Sequence, residues 1–349
     1  MRSLVKTIND DLRLLCHDLN VPIPAFFSDM DALFLDKFVY EHNLLGEDMI
    51  YDVSVRIDYS DLKTVCEYYR SHRIGLTDLY VPILEYLSKG KDKCFADVYF
   101  EYDAINYSTN LPGLLLTSWY CVQQLDLLSK KTDNPPPMSA FYETIDSQRN
   151  KQIYDEAIDL FQLREQKISN TYNDLFDYLN RKAVLYQVGM LPRSNNTLKL
   201  YYRFFPLQYI DKCIELEICK SLRKSWRQFE SIVSHISMPI HAVIDFGVEL
   251  TKQKDLPMLG ISFALQDITT FFDCIDNAYP AQFSSEYWNH ISSQWQTRGI
   301  ISTNKGIVLQ RRSVSHIKAS LYPDRIDWKI YFDNSLFSPR RYKSFVLYH

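Results

Sequence analysis

Glycine is scarce: 9 residues in a chain of 349. Loops that cradle phosphate depend on glycine for close backbone approach. Neither a GxGxxG nor a GxxxxGK[ST] run occurs, which argues against a dinucleotide-binding or P-loop enzyme. Charge of one sign is also lacking. With 39 Lys and Arg against 43 Asp and Glu, the net charge is −4, so nothing global draws the chain to nucleic acid. No apolar run approaches the roughly 18 residues of a membrane span, and residues 1–20 have no apolar core of a signal peptide. The seven cysteines are scattered, with no CxxC and no zinc spacing. They read as buried, reduced thiols of a cytoplasmic protein. GxSxG is missing, which leaves no hydrolase signature.

What the chain does have is a sizeable apolar content, 46% against 23% charged residues, and 25 tyrosines. Leu4 to Leu19 carries apolar residues at helical spacing, and Asp29 to Glu41 reads as a second short helix. Residues 1–45 therefore read as an N-terminal helical extension of a single α+β domain spanning 1–349. Ile50 to Tyr59 alternates as a strand, with Asp52, Ser54, Arg56 and Asp58 on one face. Helices are expected over Leu62–Tyr69 and Asp78–Leu87. Cys94 to Asp103 is a second strand, with Asp97, Tyr99, Glu101 and Asp103 on its polar face. Leu114 to Leu128 reads as a strand running into a buried helix, and residues 130–138, with Pro135-Pro136-Pro137, as a loop. Long helices follow over Ile145–Leu179.

Val184–Met190 and Thr197–Phe204 form a hairpin that lines up Lys199, Tyr201 and Arg203. After helices over Leu207–Ser234, a strand at Ile240–Leu250 puts His241, Asp245 and Glu249 on one side. Met258–Gln266 returns. Helices at Ile268–Asp276 and Ser284–Trp295 lead to the clearest hairpin. In it His316, Lys318, Ser320 and Tyr322 face Lys329 and Tyr331, while Ile317, Ala319, Leu321, Ile326, Trp328, Ile330 and Phe332 form an apolar face. Repeated hairpin and helix units of this kind build an antiparallel sheet with helices on its apolar side. The polar face is either open to water or lines a lumen. Closure into a barrel removes the exposed edges and is the arrangement expected here.

The repeated units resemble the ABBA-type (PT-barrel) prenyltransferases, a ten-stranded barrel with helices outside. His316-Ile317-Lys318 and Trp328-Lys329-Ile330-Tyr331 look like the basic-aromatic strands that line that family's lumen. Val188 to Arg193 and the turn after Asp245-Phe246-Gly247 are also similar to family-type motifs. The resemblance implies transfer of an allylic prenyl group from its diphosphate to an aromatic or peptide acceptor in specialised metabolism. It implies no cofactor beyond the prenyl diphosphate co-substrate, with magnesium optional; the DDxxD clamp of isoprenyl synthases is absent. Partners would be a small-molecule prenyl donor and the acceptor, with no nucleic acid and no membrane span.

A departing diphosphate needs converging cations, for which Arg56, Lys199, Arg203, Lys318 and Lys329 are the candidates. A carbocation needs aromatic walls, for which Tyr99, Tyr201, Tyr322 and Tyr331 share the polar faces. Proton removal needs a carboxylate or imidazole. Glu101 and Asp97 are the catalytic candidates, with Asp245, Glu249 and His241 also eligible. The same residue types are what an ordinary solvated sheet face carries. The alternative function is therefore a non-catalytic accessory protein that binds a peptide or partner on that sheet.

Overall fold

The computed structural model describes residues 35–45, 52–57, 80–88, 94–103, 113–129, 143–161, 163, 172–191, 197–238, 241–248, 258–265, 267–303 and 306–337. Among the described residues, eleven strands form one antiparallel sheet. They are β1 (Leu35–Asn43), β2 (Asp52–Ile57), β3 (Phe95–Asp103), β4 (Gly113–Ser118), β5 (Val184–Leu191), β6 (Thr197–Pro206), β7 (His241–Val248), β8 (Leu259–Phe263), β9 (Thr297–Thr303), β10 (Gly306–Leu321) and β11 (Ile326–Phe337). From β1 to β8 each strand pairs with the next. Strand β8 then pairs with the C-terminal half of β10, β10 with β11, and β11 with β1. The N-terminal half of β10 carries β9 on the same side.

Eight helices accompany the sheet among the described residues: α1 (Tyr80–Ser88), α2 (Trp119–Ser129), α3 (Ser147–Leu160), α4 (Asn173–Asn180), α5 (Ile210–Glu215), α6 (Arg223–Val233), α7 (Ile268–Ala278) and α8 (Ser285–Trp295). Their starts have local causes. Asp146, Asp267 and Ser284 each accept backbone N–H bonds from the first turn of α3, α7 and α8. Asn150 on α3 ties that helix to the sheet: its amide donates to the carbonyls of Asn180 and Ala183, and its oxygen accepts from Leu185 N–H. No described helix is long and apolar enough to cross a membrane.

The core lies between the helices and one face of the sheet. Ile317, Ala319, Leu321, Trp328, Ile330 and Phe332 are buried there against Phe229 of α6 and Phe271 of α7. This is the apolar face that alternation predicts. The pairing of β1 with both β2 and β11 overturns one expectation. Residues Leu35–Asn43 are a strand, not the end of a helix over Asp29–Glu41. Phe38-Val39-Tyr40 is β-branched and aromatic, and two flanking strands satisfy its backbone groups, which outweighs a short helical pattern. The remainder of the predicted extension, residues 1–34, the helix over Leu62–Tyr69 and the proline-rich loop at 130–138 lie outside the described residues. Strand β9 and the first half of β10 have no counterpart in the sequence reading.

Candidate active site

The polar faces of the strands converge on one cavity of about 350 Å³. Seven of the residues selected from sequence line it: Tyr99, Glu101, Lys199, Tyr201, Arg203, Lys318 and Tyr331. Lys329 is not among the lining residues, but it forms an ion pair with Glu41, which is. Tyr322 is not brought in. It sits where β10 ends, its ring lies 4.1 Å from the Arg325 guanidinium, and its carbonyl accepts from Ser225 of α6. The side chains of Arg56, Asp97 and His241, and the whole of Glu249, lie outside the described residues; the backbone register sets Arg56 opposite Tyr99.

The local shape of β5 and β6 brings two more groups in. Strand β6 has a register shift between Tyr202 and Phe205, and within it Phe204 has φ 64°, the left-handed region that costs a bulky residue of the order of 1–3 kcal/mol. Strand β5 shifts between Leu185 and Gln187. These bulges break strict alternation, so Tyr186 and Gln187 both line the cavity, and Arg203 lies 5.3 Å from the Tyr186 ring. The amide of Gln187 donates to Thr117 Oγ1 at 3.0 Å.

At the centre Asp245 Oδ1 accepts from Lys318 Nζ at 2.7 Å and stands 3.8 Å from Lys199 Nζ. Across the final hairpin Lys318 is directly opposite Lys329. Like charges in that position repel, and each ammonium has its own carboxylate: Asp245 for Lys318, Glu41 for Lys329. The Tyr331 hydroxyl donates to the other Glu41 oxygen, and the Tyr331 ring stacks on His316 with centroids 4.1 Å apart.

Electrostatics follow from this arrangement. Burial pushes the Glu41 carboxyl up, but the ammonium groups of Lys329 and Lys318 and the bonds from Lys329 and Tyr331 outweigh it and hold it at about 2. Burial likewise pushes Asp245 up, and Lys318 and Lys199 pull it below the usual carboxylate range. Burial lowers Lys318 to about 8, with Asp245 opposing the fall. Burial raises the Tyr201 and Tyr331 phenols well above the usual value, so both stay neutral hydrogen-bond donors.

Glu41 is the functional candidate that sequence reasoning missed, because a helix over that segment hides its parity with Val39, which also lines the cavity. Its neighbour His42 points to the other side, buried edge-on against Trp288. Burial holds the His42 imidazole near 4, against a slight upward pull from its bond to the Asn43 carbonyl. A pH dependence follows. Between pH 6.5 and 4 the unfolded chain protonates this histidine and the folded chain does not, so stability falls as pH falls, by up to about 3 kcal/mol. Glu41 adds a further loss from about pH 4.5 toward 2, where the folded carboxylate resists protonation. Urea unfolding across this range should show both phases, and His42→Gln should flatten the first. A flat profile from pH 6.5 to 4 in the parent protein would contradict it.

No family model matches the chain, and no curated protein does. Solved structures do. The chain aligns with 6-dimethylallyl tryptophan synthase over 95% of its length and 96% of that chain, with TM-score 0.58 and 10% identity. It aligns with the 5-dimethylallyl tryptophan synthase of Streptomyces coelicolor, in complex with DMASPP and Trp, over 97% of this chain and 96% of that one, with TM-score 0.56 and 11% identity. A third match is the prenyltransferase PriB in its apo form, over 96% of each chain, with TM-score 0.52 and 11% identity. The chain has the fold of these enzymes. The resemblance covers nearly its whole length and is architectural, since so low an identity transfers no residue roles.

Proposed function

We propose that the chain is a prenyltransferase-like enzyme that moves an allylic prenyl group from its diphosphate to an aromatic ring, of a small molecule or of a peptide side chain. The observation that carries this reading is the convergence of Lys199, Arg203 and Lys318 with Tyr99, Tyr201 and Tyr331 on one cavity, in a chain whose fold matches enzymes of that chemistry. The pairing of β11 with both β10 and β1 supports a closed barrel, whose interior excludes water from a carbocation.

In this reading the three cations hold the diphosphate, and the C–O bond to the allylic carbon breaks with its electron pair leaving on the diphosphate oxygen. The tyrosine rings flank the cation, and a ring carbon of the acceptor forms the new C–C bond. Glu101, buried in the cavity wall, takes the proton that the acceptor ring then loses. Magnesium is an optional companion of the phosphates, and the site of action is the cytoplasm. A second reading is favoured by one observation: Lys318 and Lys329 already have carboxylate partners, which suits an accessory protein that holds a ligand without turnover.

Thermal unfolding in dimethylallyl or geranyl diphosphate tests the donor site. A ligand at a hundredfold excess over its Kd stabilises by about 2.7 kcal/mol, which raises the midpoint measurably. No shift with either donor at millimolar concentration would overturn the proposal. A shift without any prenylated product across a panel of aromatic acceptors, tryptophan included, would select the accessory reading.

A further inference from the structure

Asp245 is fully buried on β7 and is not among the residues that line the cavity. Its register partners are Tyr201 on β6 and Gly260 on β8. One carboxylate oxygen serves Lys318 and Lys199. The other, Oδ2, is buried with no hydrogen-bond partner. It lies against Gly260: a Cβ at that position would come within 2.2 Å of Oδ2 and 2.6 Å of Lys318 Cε. Position 260 therefore has to be free of a side chain, and the carboxylate is wedged with one edge toward the lysines. A buried acceptor left without a donor carries an uncompensated desolvation penalty. Such a group persists where another interaction at the same residue repays it, and here that interaction is with the two ammonium groups.

We infer that Asp245, seated on Gly260, is a clamp that keeps Lys318 and Lys199 side by side and protonated as the two-pronged anchor for the donor's phosphates. The inference rests on the donor-site reading above and makes Asp245 a positioning residue, since it acts only through the lysines. Two buried ammonium groups repel each other and resist desolvation. A single carboxylate shared between them offsets both. The other titratable groups around Lys318 are Lys329 and Tyr331 on β11, Glu41 on β1, Glu101 on β3, Tyr201 on β6 and His316 on β10 itself. Of these, Lys329 works against the charge on Lys318 and Glu41 supports it.

The test uses the full chain with isotope-labelled lysine, and follows the Lys318 side chain by NMR against pH in the absence of ligand. Asp245→Asn keeps the shape and removes the charge. The titration midpoint of Lys318 should fall by about one pH unit or more. Lys199→Met removes the competing ammonium, and the midpoint should rise. Binding of pyrophosphate, measured by calorimetry, should weaken about tenfold or more in Asp245→Asn at pH 8, and the gap from the parent protein should narrow at pH 6, where Lys318 regains its proton. A merely structural role for Asp245 would weaken binding equally at both pH values. Unchanged midpoints in both variants overturn the clamp and leave the donor site standing. Failure of the parent protein to bind either pyrophosphate or dimethylallyl diphosphate overturns the donor site itself, and the clamp's purpose with it.

Discussion

Lys318→Met should abolish donor binding and cost about 3–5 kcal/mol of stability. Lys318 is 4% exposed and its ammonium bonds to a carboxylate that is completely buried. Removing one partner of a buried pair leaves the other as an uncompensated charge, and that penalty dominates. Lys199 remains 3.8 Å from the same oxygen, so the loss should fall in the lower half of the range. The companion variant Lys318→Met with Asp245→Asn separates folding from function. It removes both charges of that pair and should regain part of the lost stability, because a buried ion pair contributes little over an uncharged replacement, while Lys199 loses the carboxylate that stood 3.8 Å away. It should still show no donor-induced stabilisation, since an ammonium facing the phosphates is gone. Urea unfolding with and without dimethylallyl diphosphate reads both quantities. A double variant that binds donor normally would remove Lys318 from the site.

Trp328→Ala should destabilise by about 3–5 kcal/mol, the range for deleting a large buried aromatic side chain. Trp328 is fully buried at the centre of the final hairpin's apolar face. It stacks on Phe229 of α6 at 5.6 Å and meets Phe271 of α7 edge-on at 5.4 Å. Its carbonyl also accepts from Leu44 N–H, which fixes the end of β1. The cavity left behind spans two helices and the sheet, and no single side chain can relax to fill it. Trp119, by contrast, is 39% exposed, and Trp119→Ala should change stability by no more than about 0.5 kcal/mol. Equal losses at the two positions, measured by urea unfolding, would contradict the placement of the core.

Local periodicity made much of the sheet legible. The final hairpin alternates over both of its arms, and every apolar residue selected there lies in the core. The same holds for Leu198, Leu200 and Tyr202 on β6. Departures have physical causes. Bulges defeat a period of two, so Tyr186 and Gln187 share a cavity that alternation assigns to only one of them. A residue just past a strand's end escapes its face, as Tyr322 does beneath Arg325. Strand β1 is specified by β2 and β11, its partners at opposite ends of the chain, and no local window carries that information. The clamp was the least legible feature. Asp245 is eligible as a proton acceptor from its residue type and its place on the polar side of a strand, yet its partner Lys318 is 73 positions away, and the space at Gly260 appears only once β7, β8 and β10 are side by side.

A crystal structure of the chain with a non-hydrolysable dimethylallyl diphosphate analogue tests the central claim most directly. The account predicts phosphate oxygens about 2.7–3.0 Å from the Lys199 and Lys318 ammonium groups and the Arg203 guanidinium, the allylic carbon among Tyr99, Tyr201 and Tyr331, and Asp245 still bonded to Lys318. An empty cavity at saturating analogue, or the diphosphate bound elsewhere, would contradict it.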